Sequence, residues 1–143
     1  MKTHTVKGAD ITERWYLVDA ADKPLGRVAS EIAKVLRGKH HPEYSPHLSL
    51  GDHVIVVNAD KVYLSGKKNE QKLYYRYSGY QSGLKIRTLQ QVMAKDPTRV
   101  MRYAVKGMLP HNRLGRRLLK KLKVYAGPEH PHSAQQPVDM PPA

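Results

Sequence analysis

The chain has 143 residues, 40% of them apolar, with nine Tyr, one Trp, no Phe, no Cys and a formal net charge of +13. That length suits one domain with tails, and the lack of Cys excludes disulfides, thiolate chemistry and Cys-based zinc sites. The longest apolar run, Val54 to Val57, falls far short of the about 20 residues of a membrane span. Met1 to Thr5 lack the apolar core of a secretory signal, and the early Asp10 and Glu13 do not suit an acid-free transit peptide, so a cytoplasmic location is expected.

Residues 1–13 read as an N-terminal tail. Arg14 to Asp19 read as a strand, and Asp22 to Arg27 open a helix with Pro24 in its first turn. Leu25, Val28, Ala29, Ile32, Ala33 and Leu36 share one face of that helix, and Gly38 stops it. The two prolines of Lys39 to His47 make a loop. His53 to Val57 is a β-branched run of the kind buried on both faces of a parallel sheet. Strand, helix and strand then form a βαβ unit, expected to cross over right-handed. Lys61 to Leu64 alternates and is expected to extend the sheet, Ser65 to Asn69 to turn, and Leu73 to Tyr77 to form another strand.

From there the pattern predicts helices. Thr88 to Gln91 has capping-box form, and Asp96-Pro97 ends one helix and caps the next. Val100, Met101, Ala104, Val105 and Met108 share a face of this second helix, which Pro110 stops. Asn112 caps a third, with Leu114, Leu118, Leu119 and Leu122 facing inward. Val124-Tyr125 is a candidate short strand. Residues 14–126 thus read as a single α/β domain and 127–143 as an extended C-terminal tail with five prolines.

Charge is unevenly placed. Residues 1–66 hold nine Lys/Arg against eight Asp/Glu, whereas residues 67–123 hold sixteen against Glu70 and Asp96 alone. Such a block repels itself without a polyanion nearby. Arg113, Arg116, Arg117, Lys120 and Lys121 are predicted to face outward from the third helix with no acid among them. Phosphate suits them, Arg by two-pronged contacts and Lys as a point charge. Lys106 lies away from the apolar face of the preceding helix. A solvated helix face is the plainer alternative, but such faces mix both signs.

A second segment interleaves Lys67, Lys68, Lys72 and Arg76 with Tyr74, Tyr75, Tyr77 and Tyr80. Cations beside flat rings suit single-stranded or looped RNA. Tyr75 and Tyr77 alternate in phase with Leu73, and packing into the core is the expectation for them. Tyr80, between Gly79 and Gly83, is the ring offered to a ligand. In the loop after the first helix, Lys39 and His40 are candidate phosphate or sugar contacts. Its three His have no helix-type spacing, so no metal and no cofactor is expected.

Enzyme signatures are missing. Gly66-Lys67 lacks the upstream Gly of a phosphate loop, and only Gly26 stands in the turn where a dinucleotide fingerprint needs three. The Ser of Gly79-Tyr80-Gln81-Ser82-Gly83 stands one place late for a nucleophile elbow. A nucleotide-using enzyme on an α/β sheet and a helix lying on a membrane are the competing readings. The apolar face of residues 113–122 lacks Trp and Phe and is needed for the core, which disfavours the membrane.

The cationic segment also carries a family resemblance. Val105-Lys106-Gly107-Met108-Leu109-Pro110, Leu114-Gly115-Arg116 and Leu122-Lys123-Val124-Tyr125-Ala126-Gly127 resemble the signature of the thirteenth-protein family of the bacterial large ribosomal subunit. Trp15-Tyr16 with Asp19, Leu25-Gly26-Arg27, Leu36 to His40, Tyr44 with Pro46-His47, Gly51-Asp52, Asn58 to Val62, Glu129-His130 and Ala134 to Pro137 extend the likeness over nearly the whole chain, while Val138 to Ala143 depart from it. The resemblance implies an α/β fold, a three-layer αβα sandwich around a mostly parallel sheet of about four strands with extended terminal tails. It implies large-subunit ribosomal RNA and neighbouring ribosomal proteins as partners, a part in early subunit assembly, and neither catalysis, membrane nor small-molecule substrate. The candidate contact residues rest on charge, not on the resemblance.

Overall fold

The computed structural model describes residues 2–140. In chain order its elements are β1 (Trp15–Asp19), α1 (Leu25–Arg37), β2 (His53–Val57), the one-turn α2 (Lys68–Gln71), β3 (Leu73–Tyr77), β4 (Leu84–Thr88), α3 (Leu89–Lys95), α4 (Pro97–Met108), α5 (Arg113–Leu119), β5 (Leu122–Val124) and β6 (Val138–Asp139). The expected α/β architecture is present. Four parallel strands stand in the order β5-β2-β1-β6, and β3 and β4 form a separate antiparallel hairpin.

β2 lies between two parallel neighbours, with Trp15 opposite His53 and Val54 opposite Leu122. Val54 to Val57 are all buried, as a β-branched run in a central strand should be. One sheet face presents Val18, Val54, Val56, Leu122 and Val124. Against it pack Val28, Ile32 and Leu36 of α1, Met101 and Val105 of α4, and Leu118 of α5. The alternate side chains of β1 and β2 point the other way. There Trp15 stacks on His53 at 4.2 Å between centroids, and His132 of the C-terminal segment tilts against Trp15 at 5.4 Å.

Local chemistry sets the helix ends. Gly38 takes the left-handed conformation, φ 85°, and donates its N–H to the carbonyls of Lys34 and Val35. Thr88 and Gln91 cap α3 reciprocally, Asp96 accepts the Thr98 N–H at α4, and Asn112 accepts the Gly115 N–H at α5.

Several expectations are corrected. Lys61 to Leu64 do not join the sheet; Ala59–Lys61 is a 3-10 turn, Val62 alone is buried there, and Tyr63 makes a single bridge to Pro24. The turn expected over Ser65 to Asn69 is present at Gly66 and Lys67, with Gly66 at φ 64°, but it ends at Lys68, where α2 begins. Leu84–Thr88, placed in no strand by the sequence reading, is β4. α5 stops at Leu119, so Leu122 lies in β5 rather than on a helix, and the short strand expected at Val124-Tyr125 starts two residues earlier.

The segment after Gly127 makes a 3-10 turn at Ser133–Gln135 and then lays β6 beside β1, where the Met140 N–H bonds the Leu17 carbonyl at 3.0 Å. The last three residues of the expected tail lie outside the described residues. Among the described residues no helix is long and apolar enough to cross a membrane.

Candidate nucleic-acid interface

Arg113, Arg116 and Arg117 stand exposed on α5, with Lys120 just past its end and Lys106 on α4. The inward side of α5 is fixed by Leu118, which has no exposed surface, and by Gly115, where a Cβ would come within 1.7 Å of the Pro110 carbonyl oxygen. That close approach leaves the basic side no freedom to turn inward. Lys106 and Arg116 line one groove with Leu109, Pro110 and Asn112. Among the described residues no carboxylate lies within 4.0 Å of any of these five cations.

Lys121 departs from the row, and the expectation that it faces outward is corrected. Its side chain is 12% exposed. The ammonium donates to Glu13 Oε1 at 2.6 Å and to the Gly51 carbonyl at 2.9 Å. Glu13 also meets His53 Nε2 at 2.7 Å. Burial works to raise the Glu13 pKa, but the hydrogen bonds and charges of Lys121 and His53 outweigh it and hold the carboxyl below its ordinary value.

The hairpin has two unlike faces, because opposed residues of antiparallel strands share a side. Tyr74 opposes Arg87, and Arg76 opposes Lys85. On the other side Leu73, Tyr75 and Tyr77 oppose Thr88, Ile86 and Leu84. Tyr75 and Tyr77 are 63% and 65% exposed, so the expectation that they pack in the core is corrected: their phase was right, but nothing among the described residues covers that face. Tyr80 is 79% exposed at the tip. Lys67, Lys68 and Lys72 are exposed at the base, where the Leu89 N–H bonds the Lys72 carbonyl.

Between the cationic face of the hairpin and α3–α4 lies a cavity of about 280 Å³. Tyr74, Tyr75 and Tyr103 line it, the rings of Tyr74 and Tyr103 standing 5.4 Å apart at 45°. Its cations are Arg76, Lys85, Arg87, Lys95 and Arg99, and among the described residues no carboxylate lines it. Burial, and then the neighbouring Tyr103, push the Tyr74 phenol further up. Asp96, held in its charged form chiefly by the Thr98 hydroxyl, lies 3.3 Å from Arg99 Nε and tethers that guanidinium at the start of α4. Of this group only Arg76, Tyr74 and Tyr75 stand out in the sequence; the alternation of Leu84, Lys85, Ile86 and Arg87 after Gly83 is a signal for Lys85 and Arg87 alone.

Lys39 is exposed beside the end of α4, on a depression shared with Lys34, Arg37 and Met108. His40 turns part of its ring inward. Its Nε2 is 2.6 Å from Oδ2 of the fully buried Asp52, whose Oδ1 accepts the Arg14 N–H at 2.9 Å. His41 Nε2 reaches the same Oδ2 at 3.2 Å without a hydrogen-bond geometry. The spacing of the loop did not show this meeting of three ligand-type groups within 4.8 Å. The 2.6 Å contact is a short hydrogen bond that ties the loop to Asp52, just before β2.

Residues 13–131 match the family model described as Ribosomal protein L13. The chain is 60% identical over 138 residues to the large ribosomal subunit protein uL13 of Thermobifida fusca, covering 96% of this chain and 93% of that protein. It is 60% identical to the uL13 of Oleidesulfovibrio alaskensis, covering 96% and 95%, and 58% identical to that of Thermotoga petrophila, covering 95% and 91%.

Proposed function

From the premise that this chain belongs to the ribosomal protein L13 family, we propose that its basic helical face lies on large-subunit ribosomal RNA and helps fold that RNA early in subunit assembly. The chain is a structural component of the large subunit and not an enzyme. The carrying observation is the set of five cations, Lys106, Arg113, Arg116, Arg117 and Lys120, that no acid of the described chain answers. Lys39, Lys67, Lys68, Lys72, Arg76 and Tyr80 extend the same contact from the loop and the hairpin.

The mechanism is neutralisation where phosphates converge. Each ammonium or guanidinium that meets a phosphate releases condensed counterions, and converging RNA helices approach at lower cost. Side chains do not enter the deep, narrow major groove of A-form RNA, so shape and backbone are read rather than base sequence. His40 serves through its clamp on Asp52, which sets the position of Lys39 beside α4. Neighbouring large-subunit proteins are the second class of partner, and the ribosome in the cytoplasm is the place of action.

Binding of the full chain to large-subunit ribosomal RNA, followed across a salt series, tests this reading. About eight phosphate contacts give a log–log slope of roughly −6 to −7. A slope shallower than about −2 is incompatible with it.

A further inference from the structure

We propose that the cavity between the hairpin and α3–α4 receives a single nucleotide turned out of an RNA helix, its base against Tyr103 and Tyr74 and its phosphates among the surrounding cations. This rests on the RNA-binding reading above and adds a ligand class to it. The α4–α5 ridge carries cations without rings, which suits sugar–phosphate backbone. The cavity carries both, and base–aromatic stacking is the interaction by which proteins hold unpaired bases.

Three features argue for one nucleotide rather than a strand or a duplex. A space of about 280 Å³ has room for a base with its sugar and none for a helix. Cations stand on both walls, Arg76, Lys85 and Arg87 on the hairpin and Lys95 and Arg99 on the helices, so the phosphates before and after an extruded base both find partners. The floor is rigid, since Tyr74 packs against the buried cluster of Leu89, Val92 and Val100. Tyr103, 44% exposed, offers its ring from α4.

The cavity also continues the ridge. Arg99, Tyr103 and Lys106 are spaced four and three residues apart on α4, so they neighbour one another along one side of that helix. An RNA helix following Lys106 and Arg116 would bring an adjacent bulge to Tyr103. The cavity selects for an unpaired base more than for its identity, because every base has a face to stack.

The test compares four RNAs of equal length on the full chain: a perfect duplex, the same duplex with one bulged adenosine, the same with an abasic bulge, and an unstructured single strand. The bulged duplex should bind about tenfold more tightly than the perfect one. The abasic bulge should lose that advantage. Tyr103→Leu, at an exposed position that leaves the core alone, should abolish the advantage while changing perfect-duplex affinity less than twofold. Arg87→Gln should reduce it. Equal affinity for bulged and perfect duplexes overturns the proposal, as does an advantage that survives the abasic bulge or Tyr103→Leu, or a single strand that outcompetes the bulged duplex. If none of the four RNAs binds with a salt dependence, the RNA-binding reading itself fails, which is a separate result.

Discussion

Replacing Lys121 by Gln distinguishes a cation that holds the fold from cations that hold RNA. Lys121 is 12% exposed and donates to Glu13 and to the Gly51 carbonyl, joining β5 to the segment before β1 and to the entry of β2. A charge-assisted hydrogen bond of this kind contributes about 1.5–3 kcal/mol. Glu13 is 39% exposed, so its pairing is screened and adds less than about 1 kcal/mol. The variant should therefore lose about 2–3 kcal/mol, lowering the midpoint of thermal unfolding by roughly 6–12 °C. The Glu13 carboxyl titrates below its ordinary 4.5 in the folded chain. Its share of the stabilisation is fully present above that pH and fades as the pH falls through the depressed folded value, so the gap between wild type and variant should narrow in acid. The slope of RNA affinity against salt should stay unchanged, whereas Arg117→Gln should lower it by about 0.9 with no thermal shift. Calorimetry and a salt-titrated binding assay read both quantities. A Lys121→Gln protein of native stability whose slope falls by one contact would refute the assignment.

Changing Arg113, Arg116, Arg117 and Lys120 together to Gln should leave the circular dichroism spectrum native and reduce the salt slope by about 3–4; an unfolded variant would mean that the row is structural. Val56→Asp should unfold the domain, because Val56 is fully buried in β2 and an unpaired carboxylate has no partner there; a soluble, native-like variant would contradict the sheet. Burial, then His130 and Lys123, hold the His132 pKa below 6.5, while its Nε2 meets the Tyr125 hydroxyl at 2.6 Å. The unfolded chain thus takes up this proton first, and stability should decline as the pH drops through 6.5 toward the folded value. Urea midpoints at pH 7.5 and 5.5 should show a smaller drop for His132→Gln than for wild type, and equal drops would remove His132 from the account.

Local signals made much of the fold legible. The caps at Thr88, Asp96 and Asn112 depend on side chains, and that at Gly38 on a left-handed backbone, all within four residues of the bonds they make, and all four stand where the sequence puts them. The Val54 to Val57 run announces a strand covered on both faces. What stayed hidden was set by distance along the chain. Lys121 continued the helical phase of Arg113, Arg116 and Arg117, but α5 ends at Leu119 and the chain switches to a strand, leaving Lys121 to meet an acid 108 residues away. Tyr75 and Tyr77 alternated as core residues do, yet their hairpin stands apart from the main sheet. Lys61 to Leu64 alternated too, with Val62 buried and Leu64 packed on Leu89, Val92 and Val100, but their one bridge is to Pro24, outside the strands of the sheet. Of the candidate site, the helical row was readable from charge. The ring-and-cation cavity was not, since it needs β4 folded back against α3 and α4.

The order β5-β2-β1-β6 carries a consequence for how the chain is made. Both flanking strands come from residues beyond 121, whereas the central pair is complete by residue 57. A growing polypeptide therefore emerges with the inner strands' outer hydrogen-bonding groups bare on two sides, the arrangement most open to joining another chain. Such an intermediate needs shielding until synthesis has delivered the closing strands. Shortening the chain at its far end would prolong that exposure.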